Sequence, residues 1–90
     1  MTPKELMISR YEAFVKEDWT YLAKTSVHQT IEDLEHSLPI EWLKLDVLDA
    51  YETKVEFKAY YKENGKIHVL HEKSNFIKED GIWKYVDGEL

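Results

Sequence analysis

The sequence predicts an α+β domain in which short helices precede a mainly antiparallel sheet. Apolar residues recur at helical spacing before Pro39, and an alternating pattern replaces that spacing later in the chain. Two dipeptides, Asn64-Gly65 and Asp80-Gly81, separate the alternating segments. Both dipeptides favour type I′ turns because Gly, Asn and Asp tolerate positive φ, so we expect two consecutive β-hairpins.

Length and composition limit what the chain can do. Ninety residues predict one domain, spanning 1–90, whose core can hold a single small pocket. The formal net charge is −6 and the lysines are interspersed with acidic residues, so nucleic acid is not an expected partner. No apolar run approaches the roughly 20 residues that span a bilayer, so no membrane partner is expected. Without cysteine or a signal-peptide pattern, a cytoplasmic protein is the expectation.

Three helices are expected in the N-terminal half. The opening residues 2–5, TPKE, offer an N-cap, a proline for the first turn and a glutamate that completes a capping box. Helical spacing then predicts about 14 residues with one apolar face, formed by Leu6, Met7, Tyr11, Phe14 and Val15. Asp18 and Thr30 can cap two shorter helices, the last of which includes Leu38 and ends at Pro39.

After a poorly alternating strand around residues 42–51, the two turns fix the strand register. The first hairpin should place Glu72 opposite Phe57, and the second should place Asp87 opposite Ser74. One face, called the inner face here, then carries Val55, Phe57, Ala59, Tyr61, Leu70, Phe76, Trp83 and Tyr85. The outer face carries most lysines of the hairpins together with His71, as expected of a solvated antiparallel face.

Glu72 is the unexpected residue on this inner face. A buried carboxylate needs a cation or hydrogen bonds, and the single arginine, Arg10, lies within the apolar arc of the first helix. The sequence therefore predicts an Arg10–Glu72 ion pair. A structural ion pair, a ligand anchor and a catalytic role for Glu72 with Asp87 are the three interpretations of this cluster.

A pocket is expected where these polar groups meet aromatic side chains, although aromatic residues at such spacing also form ordinary cores. We expect no cofactor and no metal, because a strand directs the two histidines of H-x-x-H-E (68–72) to opposite faces. The predicted pocket residues are Arg10, Tyr11, Trp19, Phe57, Glu72, Ser74, Phe76, Trp83, Tyr85 and Asp87. Glu72 and Asp87 are the catalytic candidates if the protein is an enzyme.

Five segments make the sequence resemble the YchJ family: LMISRYEAFV (6–15), EWLKL (41–45), VEFKAYYKENGK (55–66), HEKSNF (71–76) and KEDGIWKYVDG (78–88). The residues that fall on positions of that pattern are Arg10, Tyr11, His71, Glu72, Ser74, Phe76, Trp83, Tyr85, Asp87 and Gly88. Ile8, Lys73 and Asn75 depart from it, as does the lack of a proline after His28.

The resemblance implies a cone-shaped nuclear-transport-factor-2-like fold, with three helices on a curved sheet around one pocket. Many relatives carry Cys-rich SEC-C segments beside this domain, whereas this chain has no cysteine. The resemblance implies no particular reaction. The expected function is a non-enzymatic module that binds a small apolar or aromatic molecule or a protein, with homodimerisation expected from the superfamily. The alternative is a small-molecule enzyme of the isomerase, dehydratase or hydrolase type.

Overall fold

The computed structural model describes residues 1–35 and 40–90. Three helices precede four strands in chain order: α1 (Pro3–Lys16), α2 (Trp19–Lys24), α3 (Ile31–Glu35), β1 (Glu41–Tyr51), β2 (Lys54–Glu63), β3 (Lys66–Glu79) and β4 (Ile82–Glu89). The predicted place of Leu38 in the third helix, and its end at Pro39, lie outside the described residues. None of the helices in these two ranges is long and apolar enough to cross a bilayer.

All three predicted helix starts are confirmed by their capping bonds. The backbone N–H of Glu5 donates to Thr2 Oγ1 at 3.2 Å, and that of Thr2 donates to Glu5 Oε1 at 2.8 Å, which completes the capping box. Asp18 and Thr30 each accept a hydrogen bond from the backbone N–H three residues later. Local side-chain chemistry therefore sets where each helix begins.

The strands form one antiparallel sheet in the order β1-β2-β3-β4. Both predicted turns are confirmed, since φ is positive at Asn64 and Gly65 (52° and 77°) and at Asp80 and Gly81 (49° and 79°). The β2–β3 register is also the predicted one, and it pairs Phe57 with Glu72.

Two bulges explain why β1 alternates poorly in sequence. The register of β1 against β2 shifts between Trp42 and Lys44 and again between Val47 and Asp49. Each shift inserts one residue, Leu43 or Leu48, and both inserted leucines have exposed side chains. A bulge reverses the inside and outside assignment of every later residue, so the period of two is lost.

A third bulge makes the predicted pairing of Ser74 with Asp87 wrong. Phe76 pairs with Tyr85 as expected, but Asp87 then pairs with Asn75 and Gly88 with Ser74, so Val86 is the additional residue. The turn at Asp80-Gly81 fixes the register only up to this bulge.

The helices pack on the inner face of the sheet. One buried cluster lies between α1 and the strands, and its members are Leu6, Met7, Val55, Phe57, Ala59 and Phe76. A second cluster joins the three helices through Ala13, Leu22 and Leu34. The α2–α3 connection also pairs with the edge of β4: Tyr85 N–H donates to the Thr25 carbonyl at 2.8 Å, and Val27 N–H donates to the Tyr85 carbonyl at 2.9 Å.

Candidate functional site

A cavity of about 230 Å³ lies between α1 and the inner face of the sheet. Its walls are mostly apolar and aromatic, and a few polar groups face it from α1, β3, β4 and the α2–α3 connection. The lining residues are Met7, Arg10, Tyr11, Phe14, Gln29, Trp42, Phe57, Ala59, Leu70, Glu72, Ser74 and Tyr85. Apolar walls with a few convergent polar groups are the usual form of a small-molecule site.

Arg10 is the most unusual residue of this cavity, because its side chain is only 4% exposed. Its Nη1 donates to the Leu22 carbonyl at 2.8 Å and to Thr25 Oγ1 at 2.7 Å, and its Nη2 donates to Gln29 Oε1 at 2.6 Å. The guanidinium carbon lies 4.6 Å from the centroid of the Tyr85 ring. Within residues 1–35 and 40–90, the groups that accept hydrogen bonds from Arg10 or stack on it are therefore uncharged.

The predicted ion pair between Arg10 and Glu72 is wrong. Both side chains line the cavity, but the salt bridges found among residues 1–35 and 40–90 do not include this pair. The Leu22 carbonyl near the end of α2 takes the place of the carboxylate as acceptor, and such carbonyls favour cations. The helical periodicity of α1 correctly predicts that Arg10 points inward. It does not predict where α2 and the α2–α3 connection pack.

Glu72 is instead held by Ser74 of its own strand, β3, and lies against Gly88 of β4. Its Oε2 accepts a hydrogen bond of 2.8 Å from Ser74 Oγ. The carboxylate lies directly over Gly88, so that a Cβ atom at position 88 would overlap both the carboxyl carbon and its oxygens. The bulge in β4 is what brings Gly88 beside Ser74 and thus beneath Glu72.

Gly88→Ala is therefore expected to displace the Glu72 carboxylate and to lower the free energy of unfolding by about 1 kcal/mol, through loss of the bond to Ser74. In a Glu72→Ala background the same substitution should cost close to nothing, because the overlapping atoms are gone. Chemical denaturation of the four proteins of this cycle measures the coupling. Equal losses in both backgrounds would show that Glu72 does not lie over Gly88.

Burial shifts the pKa values of two cavity residues, Arg10 and Tyr85. Desolvation lowers the pKa of the Arg10 guanidinium to about 10, and electrostatic interactions with Tyr85, Tyr21 and Glu72 oppose that shift. Burial also raises the pKa of the Tyr85 phenol to about 12, and the negative charge of Glu72 adds to this effect. At neutral pH the cavity therefore combines a guanidinium cation with an uncharged phenol.

The raised pKa of Tyr85 predicts a titration well above the ordinary tyrosine value of about 10. The neutral Tyr85 phenol contributes fully to the free energy of unfolding below a pH of about 10, and this contribution is lost as the pH rises through about 12. In an ultraviolet titration, the difference between the tyrosinate signals of the wild type and Tyr85→Phe should have its midpoint near pH 12. The same difference measured on denatured protein should have its midpoint near 10. A folded-state midpoint near 10 would place the Tyr85 phenol in solvent.

The structure brings six of the ten predicted pocket residues together around the cavity: Arg10, Tyr11, Phe57, Glu72, Ser74 and Tyr85. Four others do not line it. Trp19 packs edge-on against Phe14 among the helices, and Phe76 is a buried core residue. Trp83 lies under the ammonium group of Lys78, at 5.8 Å from its ring centroid. These three aromatic residues, predicted to line the pocket, instead pack outside the cavity, with Phe76 buried and Trp19 and Trp83 partly buried against the two clusters.

Asp87 is the fourth residue that does not line the cavity. Because of the bulge at Val86, its exposed carboxylate accepts a 2.7 Å hydrogen bond from Asn75 Nδ2. The predicted convergence of Glu72 and Asp87 in one pocket is therefore wrong. His71 does point outward as predicted, where its Nε2 lies 2.6 Å from Glu56 Oε2.

Gln29 is the cavity residue that sequence reasoning missed most clearly. It lies in the α2–α3 connection, where no periodicity assigns a direction to a side chain. Ser26 Oγ accepts a 3.0 Å hydrogen bond from the Gln29 backbone N–H and so shapes this connection. Ala59 and Leu70, by contrast, were already on the predicted inner face, and Met7 and Phe14 on the predicted apolar face of α1.

Helices packed on one face of an antiparallel sheet, with a cavity between the layers, define an α+β domain. Residues 2–88 match the family described as "YchJ, middle NTF2-like domain". The chain belongs to the YchJ family. A UPF0225 protein of Shewanella sp. (strain MR-4) is 42% identical, and the alignment covers 97% of this chain and 62% of that protein. A UPF0225 protein of Vibrio parahaemolyticus is 39% identical, covering 97% of this chain and 59% of that protein.

Two solved structures share the architecture. The solution structure of a SEC-C motif containing protein from Rhodopseudomonas palustris superposes with a TM-score of 0.89 at 29% identity, covering 98% of this chain and 77% of that one. A crystal structure of a SEC-C motif containing protein from Psychrobacter arcticus gives a TM-score of 0.72 at 25% identity, covering 96% and 59%. The chain thus spans about three-fifths of the length of the two UPF0225 relatives.

Proposed function

We propose that this domain is a non-enzymatic module that binds a small molecule with an apolar or aromatic body in the cavity between α1 and the sheet. The buried guanidinium of Arg10 at an apolar cavity wall is the observation that carries the proposal. A charge buried without a contacting counter-charge costs stability, and such groups concentrate at functional sites. A ligand that fills the cavity would cover the aromatic walls and use the polar groups for orientation.

The positions of the carboxylates favour binding over catalysis. Acid and base chemistry by paired carboxylates needs both groups within reach of one substrate. In the part of the chain that the structure describes, Glu72 is the carboxylate that lines this cavity, while Asp87 is exposed and bonded to Asn75. This separation leaves the enzymatic alternative without its second group.

Two neighbouring residues of β3 provide a matched test. Leu70 lines the cavity, whereas Val69 lies on the outer face and is 52% exposed. Leu70→Trp should fill the cavity and abolish the binding of small aromatic compounds measured by ligand-observed NMR. Val69→Trp should leave that binding unchanged. The proposal is wrong if compounds bind equally to both variants, because binding would then occur elsewhere.

We also propose a homodimer formed through the outer face of the sheet. This proposal is supported by the apolar side chains that β3 exposes on this face, namely Ile67 (68%), Val69 (52%) and Ile77 (44%). Sedimentation equilibrium should then show a dimer that Ile67→Lys converts into a monomer. A wild-type monomer at high protein concentration would refute it.

A further inference from the structure

We infer that the ligand carries no net charge and ends in a group that combines a hydrogen-bond acceptor for Arg10 with a donor for Glu72, as a primary amide or a lactam does. This inference rests on the proposed function and specifies the chemistry of the ligand's polar end. It depends on three properties of the cavity: the unused donors of Arg10, the unused acceptor capacity of Glu72, and the balance of their charges.

Some N–H groups of the Arg10 guanidinium do not donate to an acceptor in the described residues. Its five N–H groups include two on each Nη and one on Nε. Two on Nη1 and one on Nη2 donate to protein acceptors, so one on Nη2 and the one on Nε have no acceptor within residues 1–35 and 40–90. These same residues contain no side-chain nitrogen or oxygen that is both buried and unpaired. Arg10 also lines the cavity, so an acceptor of the ligand can approach the guanidinium there.

Glu72 supplies the complementary acceptor. An ionised carboxylate offers about four lone-pair sites; the hydrogen bond from Ser74 Oγ uses one of them, and hydrogen bonding with the Tyr85 phenol takes up a second, so about two remain. Its position over Gly88 and its bond to Ser74 hold it against the inner face, so that it also lines the cavity. A donor on the ligand can bind here without competing with Arg10, since the two residues do not form a salt bridge.

The charges of Arg10 and Glu72 explain why the polar group of the ligand needs both an acceptor and a donor. A carboxylate ligand would gain from Arg10 but would bring a second negative charge close to Glu72, inside a chain whose net charge is −6. An ammonium ligand would gain affinity from Glu72 but would be repelled by the buried guanidinium of Arg10. An uncharged group with an acceptor and a donor satisfies both residues and repels neither.

Three compounds with the same aromatic body test this inference: phenylacetamide, phenylacetate and phenethylamine. The first presents an acceptor and a donor, the second only acceptors with a negative charge, and the third only donors with a positive charge. By titration calorimetry or ligand-observed NMR, phenylacetamide should bind the wild-type protein at least tenfold more tightly than either charged compound.

Glu72→Gln and a matched control identify the residue responsible. Removing the negative charge should improve phenylacetate binding at least tenfold relative to phenylacetamide. Glu56→Gln removes a carboxylate from the outer face of the same sheet, beside His71, and should leave the ratio unchanged.

Each other outcome has a definite meaning. Phenylacetate binding the wild type as tightly as phenylacetamide would overturn the inference and leave the proposed function standing, because the cavity would then be an anion site. A ratio that Glu72→Gln does not change would equally overturn it. If none of the three compounds binds at millimolar concentration, the inference and the proposed function both fail.

Discussion

Arg10→Met is expected to lower the free energy of unfolding by about 2–4 kcal/mol. The substitution removes three hydrogen bonds and leaves Thr25 Oγ1 and Gln29 Oε1 without this donor, while the Leu22 carbonyl keeps a 3.3 Å bond from Thr25 Oγ1. It also removes the contact with the Tyr85 ring. Methionine relieves the desolvation of the charge and water can enter the cavity, so the loss stays below the sum of the separate bonds.

Glu72→Gln is the matched comparison, and its expected cost is no more than about 1 kcal/mol, because the amide oxygen can still accept from Ser74. A buried Arg10–Glu72 ion pair would predict similar losses of about 3–5 kcal/mol for removal of either partner. Urea denaturation of the two single variants and the double variant separates these cases. Equal single losses that do not add would restore the ion pair and contradict the arrangement described above.

Phe57→Ala is expected to cost about 3–5 kcal/mol, a large part of the roughly 5–13 kcal/mol that a 90-residue domain possesses. Phe57 is 5% exposed and belongs to the cluster between α1 and the sheet, while its side chain also lines the cavity. Truncation therefore enlarges an existing cavity that the surrounding core cannot fill.

Lys58→Ala is the control at the next position of β2, on the outer face, and its effect should stay within about 0.5 kcal/mol. Thermal or urea denaturation measures both variants. A register shifted by one residue would exchange their faces, so a larger loss at Lys58 than at Phe57 would contradict the observed β2–β3 pairing.

Local chemistry explains what could be predicted from the sequence. The capping box at Thr2, the caps at Asp18 and Thr30 and the two glycine turns act within a few residues, and the structure confirms all of them. Because Asn64-Gly65 fixes the first hairpin, the position of Glu72 opposite Phe57 followed directly.

Two features could not be predicted because they depend on packing or on irregular backbone. The inserted residue of the β4 bulge is Val86, which is neither a glycine nor a proline and so does not indicate a bulge in the sequence. This single insertion moves Asp87 away from the cavity. The acceptors of Arg10 come from the end of α2 and from Gln29, whose positions follow from the docking of the α2–α3 connection on β4. The sequence predicts Glu72 as the partner of Arg10 because a buried carboxylate needs a cation, whereas neutral groups accept the hydrogen bonds of Arg10.

The NMR signal of the Arg10 Nε–H provides the most direct test of the buried guanidinium, because the chain contains only this arginine and its assignment is unambiguous. With Arg10 held at the cavity wall, this proton should show nuclear Overhauser effects to the Tyr85 ring and shift when phenylacetamide is added. A proton that shows no nuclear Overhauser effect to Tyr85 and does not shift with the compound would place the guanidinium away from the cavity wall and contradict the site.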